Sequence, residues 1–306
     1  MHDCLFETSL KTLPMHNFIK PSVATNDALD AVKKYLRSPK KEFFASNVAL
    51  LKKLYEGYDK AASIDELHKL TPYWKIYSTD DAKNADLKKN DRHLSHELYD
   101  SDRAFVNAHW EAITKANGNE TLYCPICGMK ECEEMDHFLP REENMYPEYA
   151  AHLSNLIPLC HTCNHSKSTK FLNDKKDRIY FNAFYDTLNR WDIIEGVISV
   201  CPLDGIPQIK MLVNPTLSTT TSPDRYILST IADLNLLHLY QDKAKIYFKR
   251  EIRRLQSRVG QPWDDISNEL SKEASIHAYD PDIVYPAVMK AIVQSSVMES
   301  WFSSLS

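Results

Sequence analysis

Hydrophobic positions recur every three to four residues along much of the chain, which is the spacing of amphipathic helices. Residues 26–36 and 42–62 follow this pattern, and so do residues 105–116, where Asn117–Gly118 supplies a helix stop. These segments predict a helical N-terminal region that covers residues 1–118.

A second helical stretch is predicted towards the end of the chain. Residues 178–191 are rich in aromatic side chains and are predicted to be helical, and residues 222–259 continue the helical pattern with a break near Asn235. From residue 263 onwards the pattern predicts two further helices. Alternating polar and apolar residues at about 196–213, with a turn between them, predict a small β-hairpin.

The composition agrees with a mainly α fold class. The chain of 306 residues holds six glycines, which is roughly 2% against a usual share of about 7%. This scarcity excludes the glycine-rich loops that bind nucleotide phosphates. We expect helical N- and C-terminal regions, residues 1–118 and 176–306, around a central module of residues 119–175.

Two close pairs of cysteines mark the central module. Two residues separate Cys124 from Cys127 and Cys160 from Cys163, and 32 residues lie between the pairs. Four thiolates in this arrangement are typical of a closed, structural zinc site, which we prefer to four unrelated thiols. Cys132 is predicted to be an ordinary thiol. Paired cysteines that hold a metal favour a reducing compartment, so we expect a cytoplasmic protein.

A second motif lies within and beside this cysteine frame. It comprises Asp136–His137–Phe138–Leu139–Pro140, then Asn155–Leu156, and then Asn164–His165–Ser166–Lys167 directly after Cys163. In this order the residues resemble the zinc-bearing members of the HNH (ββα-metal, His-Me finger) nucleases. The resemblance covers about residues 120–170 and implies a β-hairpin and a helix that are stapled together by zinc.

The resemblance implies an endonuclease that hydrolyses DNA phosphodiester bonds with one divalent metal ion, Mg²⁺ or Mn²⁺. His137 is then the general base, because a neutral imidazole accepts a proton at cellular pH. Asp136 is a hard oxygen ligand for the metal. Asn164 occupies the position of the second ligand, with His165 as the alternative, and Asn155 the position that aims the catalytic histidine through backbone hydrogen bonds.

The same resemblance suggests the partners of the chain. Lys167, one helical turn after Asn164, and Lys170 are expected to meet substrate phosphates. DNA is the expected substrate, with RNA left open. Bacterial and phage relatives act in restriction and antiphage defence, and the long helical flanks favour action with a partner protein such as an ATPase. The alternative is a catalytically inactive, zinc-stabilised adaptor that binds nucleic acid or a protein.

The distribution of charge indicates where nucleic acid would bind. The chain carries a formal charge of −5, and residues 261–306 account for all of this excess. The helix predicted before them is basic, and Arg250, Arg253 and Arg254 are its candidate phosphate-binding residues. The alternative is a solvated helix face, or a face that pairs with the acidic tail. No apolar run reaches the roughly 18 residues that span a bilayer, so no membrane partner is expected.

Overall fold

The computed structural model of the chain describes residues 17–22, 29–30, 33–34, 40–72, 104–118, 121–142, 144–188, 192–277 and 282–305. Residues 29–30 and 33–34 are helical. The rest of the helix predicted at 26–36 lies outside the described residues.

Helix α1, Lys40–Ser63, is the long amphipathic helix of the N-terminal region. Its buried face carries Leu51, Tyr55 and Tyr58, which are spaced four and three residues apart and are at most 1% exposed. Just beyond the helix Asp65 takes a left-handed φ of 59°, and the Glu66 N–H donates to the carbonyl oxygen of Ala61 at 2.7 Å. This pair of features is a Schellman-type helix stop.

Helix α2, Ala104–Ala116, confirms the helix predicted at residues 105–116. It ends at the predicted stop, where Gly118 has a φ of 92°, a value that glycine adopts without steric cost. The helix buries Phe105, Val106, His109 and Ile113.

The central module contains a two-stranded sheet followed by a short helix. Strand β1, Glu134–His137, pairs antiparallel with strand β2, Leu156–Leu159, so that His137 stands opposite Leu156. Helix α3, His161–Lys167, follows β2 after a single residue. The turns between the strands include the 3-10 helices Pro147–Tyr149 and Leu153–Asn155.

The β-hairpin predicted at about 196–213 is confirmed. Strand β3, Ile194–Val200, pairs antiparallel with β4, Pro207–Val213. Gly196 in β3 allows a close approach, because a Cβ atom there would stand 2.9 Å from side-chain atoms of Ala291 and Ile209.

Helices complete the C-terminal region. They are α4, Asp224–Asp233; α5, Leu236–Gln256; α6, Trp263–Ile276; α7, Val284–Gln294; and α8, Ser296–Ser303. The predicted break near Asn235 is confirmed, since this residue has a left-handed φ of 50° between α4 and α5. Within the described part of the tail there are three helices rather than the two predicted, because Ser295 ends α7 and its hydroxyl caps α8 by accepting the Met298 N–H.

The helix predicted at 178–191 is wrong for residues 178–188, which are irregular apart from a β-bridge between Arg178 and Leu172 and a turn at residues 183–185. Side chains capture the backbone amides here: the Asp186 carboxylate accepts the Asn182 N–H at 2.6 Å, and the Asn182 amide oxygen accepts the Phe184 N–H at 3.0 Å. The Phe181 N–H donates to Thr230 of α4. These bonds compete with helical ones and outweigh the apolar periodicity.

The buried side chains of the three regions belong to one continuous core, which runs from Phe18 to Phe302. It includes the four paired cysteines and the β1–β2 sheet, so the central module shares its interior with both helical regions. Of the helices that the structure describes, none is both long and apolar enough to cross a membrane.

Candidate functional site

Four cysteine side chains converge in the interior of the central module. They are Cys124, Cys127, Cys160 and Cys163, all of them buried, and their Sγ atoms lie within 4.8 Å of one another. The first pair stands on a tight turn, where Gly128 has a φ of 61° and donates its N–H to the Cys124 carbonyl oxygen at 2.8 Å. The predicted gathering of the four cysteines is confirmed, and the group can bind a metal ion such as zinc.

The four thiols share their charge unevenly. Burial raises the pKa of Cys124 well above the ordinary value, and the neighbouring thiols add to the rise. Hydrogen bonds with Cys124 lower the pKa of Cys127 and of Cys160. A central cation would favour the thiolate form at all four positions, because each thiolate would face a positive charge. Burial also raises the pKa of Cys132, which does not belong to the group of four.

A buried amide ties the loop after β1 to the segment before β2. The Oδ1 of Asn155 accepts the Leu139 N–H at 2.7 Å, and its Nδ2 donates to the carbonyl oxygens of Leu139 and Tyr149 at 3.0 and 3.2 Å. The Phe138 N–H donates to the backbone carbonyl of Asn155 at 2.8 Å. Because Asn155 is 0% exposed, water does not compete for these bonds. The loop that follows His137 is therefore fixed by Asn155.

His137, the last residue of β1, has a buried ring that is held in one tautomer. Its Nε2 lies 2.9 Å from the carbonyl oxygen of Ala150. A carbonyl oxygen only accepts, so Nε2 carries the proton and the lone pair lies on Nδ1. Burial, with the positive charges of Arg141 and Lys167, lowers the pKa of His137 to about 3. The imidazole is therefore neutral, and thus in its basic form, at cellular pH.

Asp136 forms an ion pair with a buried lysine. The Nζ of Lys167 lies 2.8 Å from Asp136 Oδ2 and donates to the His137 carbonyl oxygen at 2.9 Å. Burial raises the pKa of Asp136, and the charge of Lys167 opposes the rise. Lys167 is 2% exposed, which corrects the expectation that its amine meets a phosphate. The carboxylate and the carbonyl satisfy the ammonium where water cannot reach it.

Helix α3 turns Asn164, rather than His165, towards β1. The Asn164 Nδ2 donates to Glu134 Oε2 at 2.6 Å, and Glu134 Oε1 lies 2.7 Å from His161 Nδ1. His165 is exposed, with its ring centroid 6.2 Å from that of His161. Consecutive helical residues point about 100° apart, and of these two it is Asn164 that lines the cleft beside β1.

Glu134 is a site residue that sequence reasoning missed. It precedes Asp136 by two residues, so both carboxylates lie on the same face of β1. This alternation is the signal that could have found it. Hydrogen bonds from His161 and Asn164 lower the pKa of Glu134, which is therefore a carboxylate at neutral pH.

These side chains meet in one cleft with a volume of about 690 Å³. Asp136, His137 and Asn164 all line it, and so do Ser168 and Thr169 after α3. Residues 106, 107 and 110 of α2, in the N-terminal region, line it as well. The cleft is thus built by two regions of the chain, which the motif alone does not predict.

The cleft is rich in carboxylates. Glu133, Glu134, Asp136 and Glu142 line it together with Arg141. Such a surface repels a phosphate diester and attracts a divalent cation, whose preferred ligands are carboxylate and amide oxygens. A nucleic acid that entered this cleft would therefore need a bound cation to neutralise the carboxylates.

The basic face predicted on α5 is largely paired with acidic side chains. Arg254 bonds to Glu273 at 2.7 Å and to Glu269 at 3.0 Å, and both partners belong to α6 in the acidic tail. The Nε of Arg250 lies 3.0 Å from the buried carboxylate of Glu251. Arg254 therefore follows the alternative prediction, in which the basic face of this helix pairs with the acidic tail.

Other predicted phosphate contacts differ in their surroundings. The Nζ of Lys170 lies 3.2 Å from Asp233, so this cation is also paired. Arg178, which follows eight residues later, has a side chain that is 0% exposed and is held by Asp186. Arg253 is exposed on α5, and its contact with phosphate stays a prediction.

Comparison of the chain with family models, with curated proteins and with solved structures gave no match. Membership of the HNH group thus stays a prediction that rests on residues 120–170. The case for a function depends on the cleft itself.

Proposed function

We propose that the chain is a metal-dependent endonuclease of the HNH type that hydrolyses phosphodiester bonds in DNA. The observation that carries the proposal is the meeting of Asp136, His137 and Asn164 in one cleft. Asn155, at the position expected to aim the histidine, ties down the adjacent loop. Asp136 and His137 are adjacent at the end of β1, whereas Asn164 belongs to α3, so the pairing of β1 with β2 is what brings Asn164 to the same cleft.

Two metals of different kinds fit the residues present. The four sulfur donors suit a structural Zn²⁺ with no open position. In the cleft the oxygen atoms of Asp136, Asn164 and Glu134 suit a hard cation, Mg²⁺ or Mn²⁺. When bound, this ion supplies positive charge against the phosphate and its developing negative charge.

His137 acts as the general base in this proposal. The carbonyl oxygen of Ala150 holds the Nε2–H, so Nδ1 offers its lone pair to a water molecule. The water oxygen attacks phosphorus while its proton passes to Nδ1. The bond from phosphorus to the 3′ oxygen breaks, and that oxygen takes a proton from solvent. The products carry a 5′-phosphate and a 3′-hydroxyl, as the HNH resemblance implies.

Nicking of supercoiled plasmid DNA with Mg²⁺ or Mn²⁺ tests the proposal. His137→Ala should lower the rate at least about 100-fold, since general-base catalysis contributes about 10² to 10⁴. His165→Ala is the matched control, because this histidine is exposed and is not among the residues that line the cleft. The zinc content of both variants should equal that of the wild type. Undiminished cutting by His137→Ala would overturn the assignment, and an RNA substrate assayed in parallel decides between the nucleic acids.

A specific observation favours a second candidate, the inactive adaptor. The Lys167 ammonium already neutralises the Asp136 carboxylate that the proposal assigns to the metal. If the chain holds zinc and binds DNA but cuts with neither cation, the adaptor is the correct description. Action with an ATPase and a role in antiphage defence stay predictions from the family resemblance.

A further inference from the structure

Tyr58 of α1 contacts the segment that connects β1 to β2. The hydroxyl of Tyr58 donates to Asn155 Oδ1 at 3.2 Å and lies 3.4 Å from the Ser154 carbonyl oxygen. Tyr58 is 0% exposed, as is Asn155. It stands 97 residues from Asn155 and outside the nuclease motif, which begins near residue 120.

The oxygen that Tyr58 contacts is a branch point of the site. The same Asn155 Oδ1 accepts the N–H of Leu139, which lies two residues beyond His137. The amide nitrogen of Asn155 donates to the carbonyl of Tyr149, the neighbour of Ala150. One buried amide thus connects Tyr58 with both sides of the catalytic imidazole, namely its own loop and the carbonyl segment that holds its Nε2.

Packing holds the phenol at this point. The Tyr58 ring lies 5.2 Å from the Tyr149 ring and meets the His152 ring edge-on at 4.8 Å. The Nε2 of His152 lies 3.3 Å from Asp59, the residue after Tyr58. Burial raises the pKa of Tyr58 well above the ordinary value, so the hydroxyl stays a hydrogen-bond donor.

We propose that Tyr58 is a positioning residue for His137, which acts by holding Asn155 and with it the loop after β1. The inference rests on the proposed endonuclease function and extends it, because it makes the N-terminal region a working part of the site. The helical flank then orders the catalytic loop in addition to covering the core.

Tyr55 provides a matched control on the same helix. It is also 0% exposed, and its ring stacks on His152 at 4.2 Å. Its hydroxyl, however, has no hydrogen-bond partner within the part of the chain that the structure describes. Tyr55→Phe and Tyr58→Phe therefore remove the same atom from equivalent burial, and only the second removes a bond to Asn155.

The experiment compares these two variants of the full chain with the wild type. In plasmid nicking Tyr58→Phe should lower kcat roughly five- to tenfold, as expected for one lost hydrogen bond, with KM unchanged, and Tyr55→Phe should match the wild type. Amide hydrogen exchange of Leu139 should be faster in Tyr58→Phe by a similar factor and unchanged in Tyr55→Phe. This second readout does not depend on activity.

The two readouts separate failure of the inference from failure of the proposed function. Unchanged Leu139 exchange in Tyr58→Phe overturns the positioning role, and so does faster exchange with an unchanged kcat. If the wild type cuts nothing, the endonuclease proposal fails, and the positioning of His137 for catalysis falls with it. Faster Leu139 exchange would then show that Tyr58 orders the loop of a non-catalytic site.

Discussion

Replacing Arg178 with methionine removes a buried cation that joins distant parts of the chain. Its Nη2 lies 2.7 Å from Asp186 Oδ1 and 3.1 Å from Asp65 Oδ1, and its guanidinium carbon lies 3.6 Å from the centroid of the Tyr226 ring. The Arg178 side chain is 0% exposed and that of Asp186 is 5% exposed. Methionine fills much of the space without charge, so the variant isolates the loss of the ion pair.

We expect Arg178→Met to lower the free energy of unfolding by about 3–5 kcal/mol, because a buried carboxylate loses its cation. For a chain of this size the loss corresponds to a fall in Tm on the order of 10 °C. Arg225→Met is the matched control. Arg225 also pairs with Asp65, at 2.9 Å, but its side chain is 38% exposed. An exposed pair contributes about 0–1 kcal/mol, so this variant should change stability little.

Denaturant unfolding of both variants at two pH values tests this reasoning. Burial already holds the pKa of Asp186 above its ordinary value, and the guanidinium opposes that rise. Without the guanidinium the folded-state pKa rises further, so the folded variant keeps a proton that the unfolded chain has released. The free energy of unfolding of the variant therefore falls as pH rises from the pKa of Asp186 in the unfolded chain to its raised pKa in the folded chain. The loss of stability relative to the wild type should be smaller at about pH 5 than at about pH 7.5. A loss equal to that of Arg225→Met, or a deficit independent of pH, would refute the argument.

Three further predictions concern the metals and the nucleic acid. If the four cysteines bind zinc as we expect, Cys160→Ser should contain less zinc and unfold at a markedly lower temperature, since metal binding contributes about 10 kcal/mol or more to folding in small zinc modules. Metal analysis with thermal unfolding checks this, and full zinc content with unchanged Tm speaks against the site. Lys167→Met should bind Mn²⁺ about tenfold more tightly, because the ammonium no longer competes with the ion for the Asp136 carboxylate. Titration calorimetry measures this affinity. Weaker binding would mean that Lys167 holds the carboxylate in the position that the ion needs. Arg253→Glu should weaken DNA binding and reduce the dependence of log K on log salt concentration by about one. Arg254→Glu should mainly lower the free energy of unfolding. If both variants weakened DNA binding equally, the pairing of Arg254 with the tail would be contradicted.

Local features of the fold were predictable from the sequence because they depend on neighbouring residues. The stop at Gly118 and the break at Asn235 both need a left-handed backbone, which glycine and asparagine tolerate. The β3–β4 hairpin follows from alternation around a turn. The same rules failed at residues 178–188, where bonds from side chains such as Thr230 capture backbone amides that a helix would use.

The sequence by itself predicted that the four paired cysteines gather at one point, because spacing along the chain limits which thiols and turns can meet. The position directly after Cys163 in the motif also favoured Asn164 over His165, since the helical period lets only one of the two face a metal. Only the tertiary structure decided that α2 walls the cleft, that Lys167 is enclosed against Asp136, and that Tyr58 holds Asn155. The last two contacts join residues 31 and 97 positions apart, and the packing of the shared core, rather than any local preference, brings them together.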